Sequence, residues 1–457
     1  MLFLLGVHAA LLAGTASLIN RNVPEPYMDE IFHIPQAQRY CAGDYFTWDP
    51  KLTTPPGLYV ISDIVSKAGR LAGMDLCASP SHLRSVNLVF SICLYPVLCR
   101  ILTILHPPCN ETKRQLYALA LVWFPVLNFF NYLYYTDAGS TLFVLLTYML
   151  VKEKCYRLAG LVAIVATTFR QTNIIWVCFF AAIAVIDILS KEKKSVDIPC
   201  RGLTGPTHAI RLAADLISTT LHDMPAILWQ LCVFMLAVIG FAGFLLWNGG
   251  IVLGDKSNHV AGLHFPQLFY FSSFLSVFAA PWILTTSAVK HIVTWILQPN
   301  FKRGLILMGS YAVALYSVDR HTYEHPFLLS DNRHYSFYVW RKIYRRHWSV
   351  RYLLIPAYII SGAINLQALA RNQTLWTVVG FIVSTMLTLV PSPLLEFRYF
   401  IIPFLLYTLH LGPPRNLWRT ILAMGIFLTI HAATVYAFIC KPFEWPQEPG
   451  QIQRFMW

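Results

Sequence analysis

The sequence predicts an all-α protein that crosses a membrane many times. Of its 457 residues, 56% are hydrophobic and only 12% are charged, and the mean hydropathy is +0.53. A soluble domain of this composition would expose too much apolar surface, since soluble domains carry about 25% charged residues. The apolar residues are also gathered into long runs, as membrane-spanning helices require.

These runs have lengths near that of one span, which takes roughly 17–25 residues. They cover residues 2–19, 86–105, 116–135, 138–151, 158–169, 174–189, 226–247, 266–289, 304–318, 352–370, 374–392, 399–411 and 421–439. We expect about twelve crossings in a single integral membrane domain over residues 1–457. The shortest runs are expected to be tilted, paired or buried by neighbouring helices.

The distribution of Lys and Arg predicts which loops face the cytoplasm. If the spans alternate from the first run, loops 106–115, 152–157, 189–224 and 290–303 hold 13 Lys and Arg in 66 residues. The opposite loops, 20–83, 135–137, 170–173 and 248–265, hold 7 in 89 residues. The positive-inside rule makes the first set cytoplasmic, with 189–224 as a solvated loop, and places the long 20–83 loop on the far side.

Beyond residue 320 the charges and the polar segments disagree. Five basic residues favour the cytoplasm: Arg341, Lys342, Arg345, Arg346 and Arg351. Segments 331–335 and 396–399 instead look like polar sites on the far side. Simple alternation satisfies both only if a segment is re-entrant or an extra crossing exists, so the side of the C-terminus stays open.

Composition and motifs also exclude several classes of function. The net charge of +13 does not indicate a nucleic-acid partner, because the background is so apolar. The sequence contains no Walker or GxGxxG motif and no CxxC pair, so we expect no nucleotide, metal or other cofactor. Cys41 and Cys77 share the far-side loop, where a disulfide and two unpaired thiols are both possible.

An acidic and aromatic segment, residues 24–38, follows the first apolar run and contains the pair Asp29-Glu30. A carboxylate just outside a span is placed to deprotonate a sugar hydroxyl while a lipid carries the other substrate. In an extended loop, consecutive side chains point apart, so one of the two is expected to face the reaction. The alternative is that both accept backbone N–H bonds or pair with Arg39.

Further polar groups interrupt the apolar pattern at the ends of predicted spans. Charged groups near hydrocarbon are costly and usually mark a site. They lie in segments 134–137, 170–173, 254–259, 331–335 and 396–398. By the alternation above, the first three of these segments open on the same side as Asp29.

Several segments together carry a resemblance to a known family. They are residues 25–38, 48–59, 134–139, 170–176, 254–267, 329–341, 393–403 and 454–457, in order along the chain. The sequence resembles the alpha-1,2-glucosyltransferases of the dolichol-linked oligosaccharide pathway. An Asp-Glu pair alone is a weak signal of this family. Its combination with segments 48–59 and 331–340 is much more specific.

The resemblance implies a type C glycosyltransferase fold in the endoplasmic reticulum membrane, with a lumenal active-site loop. The donor would be dolichyl phosphate glucose and the acceptor a diglucosylated, nine-mannose dolichol-linked oligosaccharide. A beta-linked donor and an alpha product imply one inverting displacement, which needs a single general base and no cofactor. Asp29 is the expected base, with Glu30 as competitor or as a neighbour that orients the donor.

Residues expected to contact donor or acceptor are His33, Gln36, Trp48, Asp49, Lys51, Asp137, Arg170, Lys256, His259, Asp331, Arg333, His334, Glu396 and Arg398. Among them, cations would stabilise the departing phosphate, and a bidentate guanidinium favours Arg333 and Arg398. The alternative is that these arginines pair with Asp331 and Glu396. For His33, the alternative to substrate contact is a purely structural role. For Trp48, the alternative is a place in the belt of aromatic residues at the membrane interface.

Two other functions compete with this one. The first is a mannosyltransferase of the same fold that uses dolichyl phosphate mannose. The second is a non-enzymatic transporter, which would be expected to show repeated halves and broken helices at mid-membrane. No internal repeat is apparent in the sequence, and the polar groups gather at one side of the predicted membrane.

Overall fold

The computed structural model describes residues 1–190, 196–256, 261–298 and 300–457. These residues form two compact units: one of residues 1–197 and 204–260, the other of 198–203 and 261–457. Each predicted apolar run is helical over most of its length. The protein is thus mostly helical, as expected, and each unit is described separately.

The first unit contains twelve helices in the described part of the chain. They are α1 Leu2–Asn22, α2 Glu30–Cys41, α3 Gly57–Arg70, α4 Pro80–Leu105, α5 Glu111–Val122, α6 Pro125–Phe130, α7 Asp137–Lys152, α8 Tyr156–Phe169, α9 Asn173–Leu189, α10 Pro206–His222, α11 Met224–Gln230 and α12 Cys232–Asn248. Its core lies where α4 packs on α7 and α7 packs on α8, and there Tyr95 and Tyr148 are fully buried.

The second unit adds α13 Pro266–Phe278, α14 Ala280–Ile283, α15 Thr286–Leu297, α16 Phe301–His321, α17 Pro326–Ser330, α18 Tyr335–Val339, α19 Val350–Leu353, α20 Ile355–Ala370, α21 Leu375–Leu389, α22 Ile401–Leu411 and α23 Leu417–Cys440. A single π-helical turn, Trp340–Tyr344, follows α18. Strands β1 Phe443–Trp445 and β2 Glu448–Gln453 form an antiparallel hairpin after α23.

Several helices fit a membrane in length and composition. Within the described residues, α1, α4, the stretch Val350–Ala370 and α23 are long and apolar enough to cross a bilayer. Helices α11 and α12 pass the same test together, with a bend of 79° between them. Other predicted runs form shorter apolar helices, such as α8, α9 and α21. The chain is therefore a multi-pass membrane protein.

Two expectations about local structure were wrong. The segment after Asp29 is not an extended loop, because α2 begins at Glu30 and includes Pro35. The 189–224 region is not only a solvated loop, because α10 occupies residues 206–222. The basic run Lys191-Glu192-Lys193-Lys194 lies outside the described residues.

The polar segments of the first unit meet at one end of its helices, as predicted. The Gln171 side chain donates to the Thr53 carbonyl at 2.7 Å, and the Asp255 N–H donates to the Pro50 carbonyl at 2.7 Å. The side chain of Asn87 on α4 donates to the carbonyls of Leu133 and Tyr135. The loop before α9 and the loop that contains Asp255 therefore contact the 20–83 loop. The loop before α7 contacts α4, the helix that follows the 20–83 loop.

The structure removes one of the two explanations offered for the conflict over residues 331–351, an extra crossing between the two segments. The connection 322–349 contains only elements of five residues each, α17, α18 and the π-helical turn, which are too short to span a bilayer. Segment 331–335 and the basic residues 341–351 therefore lie on the same side of the membrane. No extra crossing separates them.

A disulfide joins Cys41, at the end of α2, to Cys77, just before α4. The two positions are 36 apart in sequence, so the bond closes a long loop. We predict that Cys41→Ser with Cys77→Ser lowers the free energy of unfolding by about 2–4 kcal/mol. Thermal unfolding in detergent, with and without reductant, measures this. Equal stability of variant and wild type would show that the bond does not constrain the unfolded chain.

Gly254 packs its backbone against the loop that precedes α3. Its φ is +62°, and a Cβ there would lie 2.2 Å from the Pro50 carbonyl oxygen. We therefore predict that Gly254→Ala displaces the 249–256 loop and speeds its cleavage in limited proteolysis. Gly243→Ala is the control, because its Cβ would meet nothing within 4 Å. Equal cleavage of the two variants would contradict this packing.

Candidate active site

Glu30 lies at the base of the Asp29 segment and is fully buried. Its carboxylate accepts Nε of Arg84 at 2.8 Å and Nη2 of Arg84 at 2.6 Å. It also accepts the backbone N–H groups of Tyr27 at 3.0 Å and Tyr134 at 2.6 Å. A carboxylate that accepts four short hydrogen bonds is held in place, and these donors already occupy its lone-pair positions.

Arg84, from α4, completes this buried cluster. Its remaining N–H groups donate to the Val23 carbonyl at 2.7 Å, the Glu25 carbonyl at 2.9 Å and the Asn20 side chain at 2.9 Å. All five guanidinium N–H groups therefore have acceptors. The pair ties the end of α1, the start of α2 and the 133–135 loop to α4. The partner of Glu30 is thus Arg84 and not Arg39, the partner considered from the sequence.

Asp29 is the residue just before α2 and is only half-buried. Its backbone N–H donates to the Tyr135 hydroxyl at 3.1 Å. The preceding residue, Met28, has a φ of +56°, one of two positive values among non-glycine residues in the described ranges. Such backbone costs energy and is often kept at functional sites. Asp29 and Glu30 thus differ sharply: Glu30 is enclosed, whereas Asp29 reaches the surface.

His33 lies one helical turn after Asp29, so the two share a face of α2. Its Nδ1 and the Tyr59 hydroxyl are 2.6 Å apart, and its ring also contacts Tyr135 at a centroid distance of 5.9 Å. Burial raises the pKa of Tyr59 well above its usual value, and the nearby Tyr134, Tyr40, Asp29 and Asp49 raise that pKa further. The Tyr59 hydroxyl therefore stays protonated and can donate to His33.

The loop between α2 and α3 is fixed to the same helix through Gln36. The side-chain amide of Gln36 donates to the Thr47 carbonyl at 2.8 Å and accepts the Asp49 N–H at 3.0 Å. Trp48 packs on Tyr59 at 5.9 Å, and the exposed Lys51 lies over the Phe32 ring at 4.9 Å. Gln36 thus positions this loop beside the helix that carries Asp29.

The other predicted contacts in this unit lie at the same end. Asp137 accepts Nη2 of Arg170 at 2.9 Å, and both side chains are largely buried. Lys256 is exposed, and its Nζ donates to the Asn248 carbonyl. His259 lies outside the described residues. The structure therefore brings Asp137, Arg170 and Lys256 to the end of the unit that carries Asp29.

In the second unit, Asp331, Arg333 and His334 hold the C-terminal segment. Arg333 donates to Asp331 through Nε at 2.8 Å and Nη2 at 2.7 Å, and through Nη1 to Gln453 at 2.7 Å. His334 Nδ1 lies 2.5 Å from the Trp457 backbone oxygen. Burial acts to raise the pKa of Asp331, but His334 and Arg333 outweigh it and hold that pKa well below its usual range.

Glu396 and Arg398 also form an ion pair in the second unit, and both are largely buried. Both arginines that the sequence favoured as phosphate ligands are thus paired with the carboxylates that it offered as alternatives. Among the described residues, no cluster of three or more His, Cys, Asp or Glu is arranged to hold a metal ion.

Sequence reasoning missed Arg84 and Tyr135 as parts of this site. Arg84 lies two positions before the predicted 86–105 run, and a charged residue at the edge of a span was the available signal. Tyr135 was noted only as one of several polar residues at a span end. No local feature indicates that its hydroxyl contacts the Asp29 backbone, because the two residues are 106 positions apart.

Comparison with known proteins covers almost the whole chain. A sequence model of the DIE2/ALG10 family matches residues 23–409. Relatives from Mus musculus and Homo sapiens are each 37% identical over 96% of this chain and 95% of their own length. A relative from Arabidopsis thaliana is 36% identical over 96% of both chains.

All three relatives are named Dol-P-Glc:Glc(2)Man(9)GlcNAc(2)-PP-Dol alpha-1,2-glucosyltransferase. No solved structure matches the chain. The range that the family model matches includes Asp29, Glu30 and Arg84. The chain therefore belongs to the DIE2/ALG10 family.

Proposed function

We propose that this protein transfers the third and last glucose from dolichyl phosphate glucose, in alpha-1,2 linkage, onto the diglucosylated dolichol-linked oligosaccharide. The names of relatives that are 36–37% identical over nearly the full chain support this activity. The observation that carries the mechanism is the contrast between the half-buried Asp29 and the enclosed Glu30 beside it.

In the proposed mechanism, Asp29 is the general base. Its carboxylate takes the proton of the acceptor hydroxyl while that oxygen attacks the anomeric carbon of glucose from the face opposite the phosphate. The bond to the phosphate oxygen breaks, and dolichyl phosphate leaves with its electron pair. Inversion in one displacement turns a beta-linked donor into an alpha product, and the phosphate needs no acid to leave.

Glu30 and Arg84 have a supporting role in this proposal. Their ion pair fixes the backbone on either side of Asp29, and the Tyr135 hydroxyl fixes the Asp29 N–H. A base has to be held within hydrogen-bond reach of the proton that it abstracts, so small displacements reduce the rate. We therefore assign Glu30 to positioning and Asp29 to proton transfer.

Cations are proposed to stabilise the phosphate, and the contacts rank the candidates. Lys256 is exposed and lies at the end of the unit that carries Asp29, which favours it in this role. Arg170 already pairs with Asp137, and Arg333 uses its donors on Asp331 and Gln453. We infer that Arg333, with Asp331 and His334, chiefly holds the C-terminal segment.

The proposed orientation places Asp29 in the lumen of the endoplasmic reticulum, within a type C fold of about twelve crossings. The excess of Lys and Arg in the opposite loops supports this orientation. The Cys41–Cys77 disulfide supports it independently, since disulfides persist in oxidising compartments such as this lumen.

The function is tested with purified protein in detergent. Dolichyl phosphate glucose is offered with monoglucosylated and diglucosylated acceptors, and dolichyl phosphate mannose with the corresponding acceptors that lack mannose residues. We expect transfer only from the glucose donor to the diglucosylated acceptor, giving a product that an alpha-1,2-specific glucosidase trims. Transfer from the mannose donor would instead support the mannosyltransferase alternative, and transfer in neither case would reject both.

A further inference from the structure

The connection between α16 and α20 encloses a second polar site. A cavity of about 340 Å³ opens there, within the range of small-molecule sites. Two arginines and three large aromatic side chains form much of its lining: Arg345, Arg351, Trp340, Tyr344 and Trp348. None of these residues belongs to the candidate active site around Asp29.

The floor of this cavity is formed by packed aromatic side chains. Trp340 is buried and stacks on Tyr344 with ring centroids 4.8 Å apart and planes 19° apart. The Tyr344 hydroxyl is hydrogen-bonded to that of Tyr358 on α20, and Tyr358 packs in a buried cluster with residues of α16. The backbone here is the π-helical turn, a feature that frequently occurs at functional sites. The cavity is thus attached to two long helices.

The wall of the cavity is positively charged and open to ligands. Among the described lining residues Glu324 is the single acidic side chain, and it accepts the Trp340 indole N–H at 2.5 Å. Its carboxylate also lies 3.5 Å from Arg345, which leaves Arg351 as a further positive charge. Trp348 is 69% exposed and the Arg345 side chain 56% exposed. Guanidinium groups suit phosphate, and exposed aromatic faces suit the apolar face of a sugar or an isoprenoid.

We propose that this cavity binds the phosphate-bearing head of a polyprenyl-linked sugar, with Arg345 and Arg351 on the phosphate and Trp348 against the sugar or first isoprene unit. The proposal rests on the proposed function, because such lipids would be the substrates. The competing explanation is that these basic residues only set membrane topology. In that case, nearby arginines would matter equally whether or not they line the cavity.

The test measures binding to full-length protein in nanodiscs, independently of turnover. The probes are citronellyl phosphate glucose, citronellyl diphosphate chitobiose and, as a bulk anionic lipid, short-chain phosphatidylglycerol. We expect Arg345→Gln with Arg351→Gln to weaken binding of at least one sugar lipid about tenfold or more, since it removes charged hydrogen bonds. The weakened probe identifies whether donor or acceptor occupies the cavity. Arg346→Gln, exposed on the same connection but outside the lining, should change nothing.

Three results would overturn the proposal: unchanged binding of both sugar lipids, equal loss in Arg346→Gln, or equally tight binding of phosphatidylglycerol to the wild type. If the double variant does not fold, Trp348→Ala replaces it with the same expectation. Repeating the binding on Asp29→Asn protein separates the two hypotheses, because a cavity that binds lipid does not require glucose transfer.

Discussion

Asp29→Asn is expected to lower kcat for glucose transfer by about 10²–10⁴-fold, the usual contribution of a positioned general base. Asparagine has nearly the same shape but cannot accept the proton of the acceptor hydroxyl. The backbone contact from Asp29 N–H to the Tyr135 hydroxyl does not involve the side chain, so the local fold should persist. Initial rates at saturating donor and acceptor measure the effect, and donor binding should be unchanged.

Asp44→Asn is the matched control for this prediction. Asp44 is an exposed aspartate after the same helix, and its carboxylate accepts the N–H groups of Phe46 and Thr47. Its loss should affect the turn and leave kcat within about twofold, since surface changes are usually small. Near-normal turnover of Asp29→Asn, or equal losses in the two variants, would remove Asp29 from the role of base.

Arg84→Met is expected to destabilise the protein by about 3–5 kcal/mol, because it leaves the Glu30 carboxylate buried without its partner. The Arg84 and Glu30 side chains are only 2% and 0% exposed, so solvent cannot replace the lost contacts. The variant should also lower kcat more than it raises KM, because Asp29 loses its fixed position. Thermal unfolding in detergent and initial rates of the surviving protein measure the two effects.

Arg100→Met provides the comparison for an exposed ion pair. Arg100 contacts Glu153 at 2.5 Å, but its side chain is 55% exposed. Pairs of this kind contribute about 0–1 kcal/mol.

Adding Glu30→Gln to Arg84→Met should restore part of the stability but not the rate. If Arg84→Met lowered the free energy of unfolding as little as Arg100→Met does, the buried pair would not have the stabilising role assigned to it.

The sequence predicted the helical membrane architecture because long apolar runs are a property of composition within a short window. It also predicted which polar segments of the first unit meet, since alternation of spans brings loops to common ends. It did not predict the helix that begins at Glu30, which contains a proline, a residue that normally ends or kinks a helix. In the structure, Pro35 lies within that helix.

The sequence could not distinguish Asp29 from Glu30, because adjacent carboxylates have the same chemistry. The distinction comes from Arg84, 54 positions away, and from the Tyr134 N–H, 104 positions away. Long-range contacts of this kind depend on how α4 packs against α2, which no local pattern contains. The same limit applies to Arg333, whose Gln453 partner lies 120 positions along the chain.

The most direct test is a structure of the protein with a non-transferable dolichyl phosphate glucose analogue bound. An acceptor oxygen has to lie about 3–3.5 Å from the anomeric carbon and about 2.6–3.2 Å from the base. We therefore predict that the anomeric carbon lies within about 7 Å of an Asp29 carboxylate oxygen, with the phosphate on the opposite face of the sugar. A glucose bound in a cavity that the Asp29 side chain does not reach would contradict the proposal.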